Sequence, residues 1–184
     1  MKYTKNLIII LLLMVLLPCG KAAAQSFSLR TSLTMLGTAT PNIEISMPVS
    51  KKVSVHLPVL YNPWVMRENS RFQQLTTMPG IRLWQQQCGV HYFCSFYGIA
   101  TRYHVGGWLD KKYRYDGQGY GAGVGAGYSL VLHDHWNLDF ELGLGLIWAD
   151  YDKCGWRSDS HLYKSYESLR IIPTKLDVSV IYFF

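Results

Sequence analysis

The sequence predicts an all-β chain folded as an eight-stranded antiparallel transmembrane β-barrel of the outer-membrane type. Three observations carry the prediction. First, Gly119–Asp152 holds two long alternating segments that flank a two-residue polar break, His133-Asp134. In one, Tyr120, Ala122, Val124, Ala126, Tyr128, Leu130 and Leu132 alternate with Gly121, Gly123, Gly125, Gly127 and Ser129. In the other, Trp136, Leu138, Phe140, Leu142, Leu144, Leu146 and Trp148 alternate with Asn137, Asp139, Glu141, Gly143 and Gly145. Successive side chains of a strand point to opposite faces, so each segment has one apolar face and one small or polar face. Second, both segments far exceed the five or six residues typical of soluble sheets. Third, tryptophan stands at both ends of the second apolar face, twelve residues apart. That is about 40 Å of strand at roughly 3.3 Å per residue. A tilt of about 45° leaves roughly 28 Å along a membrane normal, close to the ~25 Å apolar band of outer-membrane barrels with its aromatic girdles.

The competing all-β folds, a β-sandwich or a lipocalin-like barrel, turn their apolar face inward. Asp139 and Glu141 would then lie outside, opposite to the arrangement this pattern favours.

The chain divides into a signal peptide, residues 1–24, and a barrel, residues 25–184. Lys2 and Lys5 form a basic start. Leu7–Leu17 is an apolar run too short to cross a bilayer as a helix, and Ala22-Ala23-Ala24 offers a cleavage site before Gln25. Cys19 raises a lipoprotein alternative, but Pro18 stands where such signals want a small residue. Cleavage removes three lysines and lowers the net charge from +6 to +3. No basic cluster remains to suggest nucleic acid. Cys88, Cys94 and Cys154 remain. Cys88 and Cys94 are either a local bridge, which an exported protein can form, or two packed small residues.

The other elements follow the same alternation. Strand one places Phe27, Leu29, Thr31, Leu33 and Met35 against Ser28, Arg30, Ser32 and Thr34. Strand two sets Ile43, Ile45, Met47 and Val49 against Glu44 and Ser46. After the turn Ser50-Lys51, strand three sets Val53, Val55, Leu57, Val59 and Tyr61 against Ser54, His56 and Pro58. Pro58 cannot donate to a ladder and suggests a bulge or break. Asn62–Gln73 reads as a polar loop. Strand four, about Gln74–Trp84, puts Leu75, Thr77, Ile81 and Leu83 opposite Gly80 and Arg82. Strand five, about His91–His104, is assigned with Gly98, Ala100 and Arg102 inward because of the charge. Val105–Gln118 and Asp152–Ile172 read as long loops. The last strand, Pro173–Phe184, sets Leu176, Val178, Val180, Tyr182 and Phe184 against Lys175, Asp177 and Ser179. From the second strand on, short and long connections alternate, as in outer-membrane barrels with short periplasmic turns and longer external loops. Both termini are then periplasmic, and the protein sits in the cell outer membrane.

The runs YNPW at Tyr61–Trp64, PGIRLW at Pro79–Trp84, YGAGVGAGYS at Tyr120–Ser129, HWNLDFELGLGL at His135–Leu146 and DYDKC at Asp150–Cys154 resemble an uncharacterised outer-membrane β-barrel family of Bacteroidota. Members of that family are often encoded near fimbrial subunit genes. The resemblance extends over nearly the whole mature chain. It implies an exported eight-stranded barrel, no established activity and no catalytic residues to carry over.

Candidate sites fall in two places. The inferred lumen gathers Arg30, Arg82, Arg102 and Lys175 against Glu44, Asp139, Glu141 and Asp177. Eight strands enclose a space that side chains fill, and buried charges need partners. The cluster is therefore read as a salt-bridged plug, with an ion or proton path as the competing reading. The inferred external loops carry Trp108, Tyr113, Tyr115, Trp156, Tyr163 and Tyr166 among charges, and such aromatics are enriched in binding hot spots. They point either to a partner, such as a fimbrial or envelope protein, or to packing on the barrel rim. His133-Asp134-His135 is a polar hairpin tip rather than a metal site, and no cofactor motif is present. The favoured function is a non-enzymatic outer-membrane barrel, in contact with membrane lipid, with a structural or surface-interaction role. The alternative is a small barrel enzyme acting on envelope lipid, with His104, Asp159, Ser160, His161 and Glu167 as its candidate residues.

Overall fold

Alternation drives this chain into strands almost from end to end. The computed structural model describes residues 27–67, 70–106, 113–155 and 162–184; within them, the side chains of 65–67, 70–71, 113–114, 152–155 and 162–166 lie outside the described set. The expected signal peptide, residues 1–24, lies outside the described residues as well. Ten strands and one short helix follow in order: β1 (Ser28–Ser32), α1 (Leu33–Gly37), β2 (Asn42–Ser50), β3 (Val53–Asn62), β4 (Val65–Arg67), β5 (Ser70–Thr77), β6 (Gly80–Trp84), β7 (His91–Gly106), β8 (Tyr113–His133), β9 (Trp136–Gly155) and β10 (Leu162–Phe183).

These make eight antiparallel staves. β4 continues the line of β3, and β5 and β6 together form one stave that lies between β3 and β7. β1 pairs with β2 on one side and β10 on the other, so the sheet closes on itself. The first and last described residues meet there: Phe184 N–H donates to Phe27 O at 3.0 Å, and the two rings lie 5.2 Å apart. Pro58 sits in an unbroken β3, paired with Glu44. The break falls in the neighbouring stave instead, where β3 changes partner from β6 to β5 around Met78-Pro79.

Polarity is inverted relative to a soluble protein. Arg30, Glu44, Arg82, Asp139, Glu141 and Lys175 are buried inside, while Leu57, Leu142, Leu144, Trp148 and Leu176 are exposed outside. Two aromatic rows bound the outer apolar face. Tyr92, Trp136 and Phe184 stand exposed near the termini, and Tyr61, Trp64, Tyr120 and Trp148 toward the other end.

Packing inside is set by size matching between β7 and β8. Phe93, Ser95, Tyr97 and Ile99 point inward and pair across the ladder with Gly127, Gly125, Gly123 and Gly121. A β-carbon at Gly127 would lie 2.3 Å from the Phe93 ring and 2.4 Å from Phe140 O, so only glycine leaves room for the aromatic ring. This reverses the expected facing of strand five: Gly98 and Arg102 are exposed on the outer face and Ala100 shares their parity. The charge on Arg102 misled because of its height. Arg102 pairs with Gln118, which pairs with Asp150, two residues beyond Trp148, so it stands past the aromatic row where an outward charge is at home.

Two further expectations change. Strand one stops at Ser32, and Leu33–Gly37 turn into α1, N-capped by the Ser32 hydroxyl, which accepts from Met35 N–H at 3.1 Å. The three long loops are largely hairpins. β4 and β5 occupy most of Asn62–Gln73, β7 and β8 reach Gly106 and Tyr113, and β9 and β10 reach Gly155 and Leu162. Backbone pairing needs no apolar side chains, so the ladders run on through polar sequence.

Candidate functional site

The lumen is filled in three layers. Nearest the termini, the turn after β6 folds under the barrel mouth. Gly89, with φ of 86°, is buried there, and its carbonyl accepts from Asn137 Nδ2 at 2.5 Å and Ser129 Oγ at 3.1 Å. A β-carbon on Gly89 would lie 2.7 Å from the Phe183 ring, so this position demands glycine on both counts. Trp84 closes the same layer, donating to Ser54 Oγ at 2.9 Å and packing on Phe93.

The middle layer is the charged cluster, whose seven charged side chains come from five staves. Glu141 is its hub. Its Oε2 accepts from Arg30 Nη1 at 3.0 Å and Arg82 Nη2 at 3.1 Å, and its Oε1 from Lys175 Nζ at 2.7 Å and Ser95 Oγ at 2.8 Å. Arg82 also grips Glu44 with both ends of its fork, at 2.5 and 3.1 Å. Arg30 reaches Asp177 at 2.9 Å, and Asp177 further accepts from the Ser32 and Ser179 hydroxyls. Asp139 lies 3.7 Å from Arg30 and opposite Ser129 on the β8–β9 ladder. His56 is buried as well, and among the described residues neither of its ring nitrogens has a hydrogen-bond partner. Of the eight charges assigned to the lumen by sequence, seven converge here. Arg102 does not, because it faces outward.

Above the charges lies an apolar layer of Leu60, Met78, Tyr97 and Ile99, against which Met35 of α1 and Ile147 pack. Tyr97 links the layers: its hydroxyl is 2.6 Å from Thr174 Oγ1, and the Lys175 ammonium sits 4.2 Å from its ring centroid. Side chains of the described residues thus occupy all three layers of the lumen. Ser95, Tyr97 and Met35 were not among the lumen residues expected from the alternation. The signal that could have found the first two was the glycine run of β8, which calls for bulky inward partners on the adjoining strand.

The candidate interaction residues are only partly placed. Trp108 and Trp156 lie outside the described residues. Tyr113, Tyr163 and Tyr166 belong to β8 and β10 rather than to loops, with side chains outside the described set. Tyr115 is also on β8, with its ring 6.1 Å from that of Tyr151. Of the residues considered for catalysis, Asp159, Ser160 and His161 lie outside the described residues. His104 Nδ1 is 3.0 Å from Asp116 Oδ1 between β7 and β8, where both side chains are partly exposed. Glu167 is exposed on β10. His135 of the hairpin tip holds the chain end, 3.0 Å from Phe183 O. Cys88 and Cys94 are both free thiols: Cys94 is exposed on the outer face of β7, and Cys88 donates to Ser50 O at 3.2 Å.

A profile of the family described as a protein of unknown function, DUF3575, matches residues 8–184. No curated protein and no solved structure matches the chain.

Proposed function

The chain belongs to the DUF3575 family of unknown function, and from that premise we propose that it is a non-enzymatic β-barrel of the bacterial outer membrane with a structural or surface-interaction role. The single observation behind this reading is the inverted polarity. A network of seven charged side chains is enclosed, while Leu142, Leu144, Leu176 and their neighbours are bare. In water such a surface would be an aggregation liability; in a bilayer it is the ordinary outer wall of a barrel. The aromatic rows at Trp136 and Trp148 match the two membrane interfaces. No helix among the described residues is long and apolar enough to cross a membrane.

The filled lumen argues for anchoring rather than transport. Function then belongs to the ends of the hairpins that run beyond Trp148, and the partner we propose there is a fimbrial or other envelope protein, as the family resemblance suggests. In this topology Phe27, Phe184 and the His133-Asp134 turn lie on the periplasmic side, and the β9–β10 hairpin reaches toward the cell exterior.

The experiment is fractionation with heat modifiability. We expect the protein in the outer-membrane fraction, migrating differently before and after boiling, because strands laddered into a ring resist unfolding in detergent until heated. An epitope inserted at Ser158 should be reachable on intact cells, and one at His133-Asp134 only after lysis. Recovery from the soluble periplasm with unchanged migration would overturn the membrane reading, and reversed labelling would overturn the topology.

A further inference from the structure

We propose that a break in the barrel wall, between β10 and β2, is a lateral site for a single hydrocarbon chain of a bilayer lipid, with α1 as its cover. The proposal rests on the membrane reading above. β10 pairs with β9 from Leu162 to Tyr182, but with β1 only from Ser179 to Phe183. β1 ends at Ser32, and the Asn42 side chain closes its ladder, accepting from Ser32 N–H at 2.7 Å and donating to Ser32 O at 3.1 Å. Beyond that level, among the described residues, the edge of β10 has no ladder partner and meets α1 through Val178 N–H, which donates to Thr34 Oγ1 at 3.0 Å. At the register shift that follows stands Pro173, which has no N–H to offer.

The break lies in the apolar belt. Leu176 pairs with Leu142, midway between Trp136 and Trp148, and Leu169 pairs with Trp148. Ile171, Leu176 and Leu169 are 75%, 67% and 65% exposed, more than any other large apolar side chain described. An unpaired edge at this depth is what barrel closure elsewhere avoids, so its cover matters.

Behind α1 a cavity of about 40 Å³ reaches from the lumen to Ile43, whose side chain is on the outer face. Its upper walls are the apolar Met35, Pro58, Leu60 and Met78, and its floor is the charged layer, with Arg30, Glu44, Lys175 and Asp177. As it stands it admits only a chain end, and lifting α1 lengthens it. The cover is built to lift. α1 has five residues and buries none of them; Leu33 and Leu36 face outward and only Met35 reaches the chamber. One helical turn is marginal by itself, and such elements open locally at low cost. Its own tethers are the Ser32 cap, Thr34 on Val178 and the packing of Met35; the chain after it is held by Ala39 O, which accepts from Trp64 Nε1 at 2.6 Å, and by buried Thr40, whose Oγ1 accepts from Asn62 Nδ2 at 3.0 Å.

The occupant follows from the position. At this depth the medium is hydrocarbon, so a polar ligand would have to cross it first. A second copy related by an axis along the membrane normal would bring the two β10 edges together crossed at about 90°, twice a tilt of about 45°, which forbids a shared ladder.

The test uses the full-length mature barrel in vesicles containing a phospholipid with a diazirine in one chain, followed by photolysis and peptide mapping. Label on Leu142, Leu144 and Leu176 reports membrane contact by itself. The proposal requires additional label on Leu60 and Met78, several-fold above inward Ser95 and Ser129. A Thr34→Cys/Val178→Cys disulfide should abolish that inner label and reduction should restore it, while Thr34→Val should raise it. Label confined to outward residues, in wild type and Thr34→Val alike, overturns the chain site and leaves the membrane reading standing. Absence of label from the outward residues overturns the membrane reading itself.

Discussion

Neutralising Glu141 is the sharpest perturbation this barrel offers. Four donors converge on its carboxylate, three of them cationic. In Glu141→Gln, Arg82 keeps Glu44 and Arg30 keeps Asp177. Lys175 keeps only the face of the Tyr97 ring: among the described residues Glu141 is its one carboxylate partner, and its side chain is 7% exposed. A buried charge stripped of its partner typically costs about 3–5 kcal/mol, a large share of a total stability of about 5–15 kcal/mol. The amide also turns an N–H₂ toward one of the existing donors, so shape alone does not rescue it. Removing both charges should relieve the isolated ammonium, so Glu141→Gln/Lys175→Met should cost less than the sum of the single changes by at least about 1 kcal/mol. The assay is reversible urea unfolding in lipid vesicles, read by tryptophan fluorescence and by the gel shift of the folded barrel. A Glu141→Gln cost below about 1 kcal/mol, the value of an exposed pair, with additive single changes, would sink this account of the cluster. The lumen would then screen its charges as bulk water does.

Three further outcomes are expected. Leu142→Arg, at the centre of the outer belt and 62% exposed, should cost about 2–4 kcal/mol in vesicles; an effect near zero would remove Leu142 from the bilayer. Gly127→Ala should lower the urea midpoint by about 1–3 kcal/mol of stability, and Phe93→Leu should restore only part of it, because Phe140 O at 2.4 Å is backbone and cannot yield; full tolerance of Gly127→Ala would break the size-matching account. For the cysteines, non-reducing peptide mapping should find no Cys88–Cys94 bridge, and in vesicles a water-soluble maleimide should reach Cys88 but not Cys94. Burial pushes the Cys88 thiol above its ordinary range, so its thiolate fraction, and with it the labelling rate, should climb only at correspondingly higher pH than for a free cysteine.

Much of the site is legible in the order of residues along the chain, and the reason is local. A strand fixes the parity of its side chains, so one unambiguous marker assigns a whole segment. Trp136 and Leu142 orient Asp139 and Glu141, Ile45 orients Glu44, and Leu176 orients Lys175 and Asp177. Arg30 and Arg82 follow from Leu29 and Leu83 in the same way. Seven lumen charges thus emerge from alternation without knowledge of any neighbouring strand.

Other features depend on neighbours. β7 alternates two faces that are both largely apolar, Tyr92, Cys94 and Phe96 against Phe93, Ser95 and Tyr97. Nothing within it chooses between them. The glycines of β8 choose, because only opposite a missing side chain do Phe93 and Tyr97 fit inside eight strands. The stop of β1 at Ser32 is equally non-local. Leu33 and Met35 continue the alternation, yet Ser32 is held by Asp177 and Asn42, which lie far from it along the chain or on the next stave, and the segment turns into a helix. The hairpins beyond Trp148 extend for the same kind of reason, since each ladder holds as long as its partner strand is there. The alternating faces, the count of eight staves and the charges within them are properties of side-chain period, which the chain carries in its own residue order. The face of β7, the break in the wall and its cover are settled only in the folded barrel, because they depend on the volume and hydrogen-bonding groups that other strands leave free.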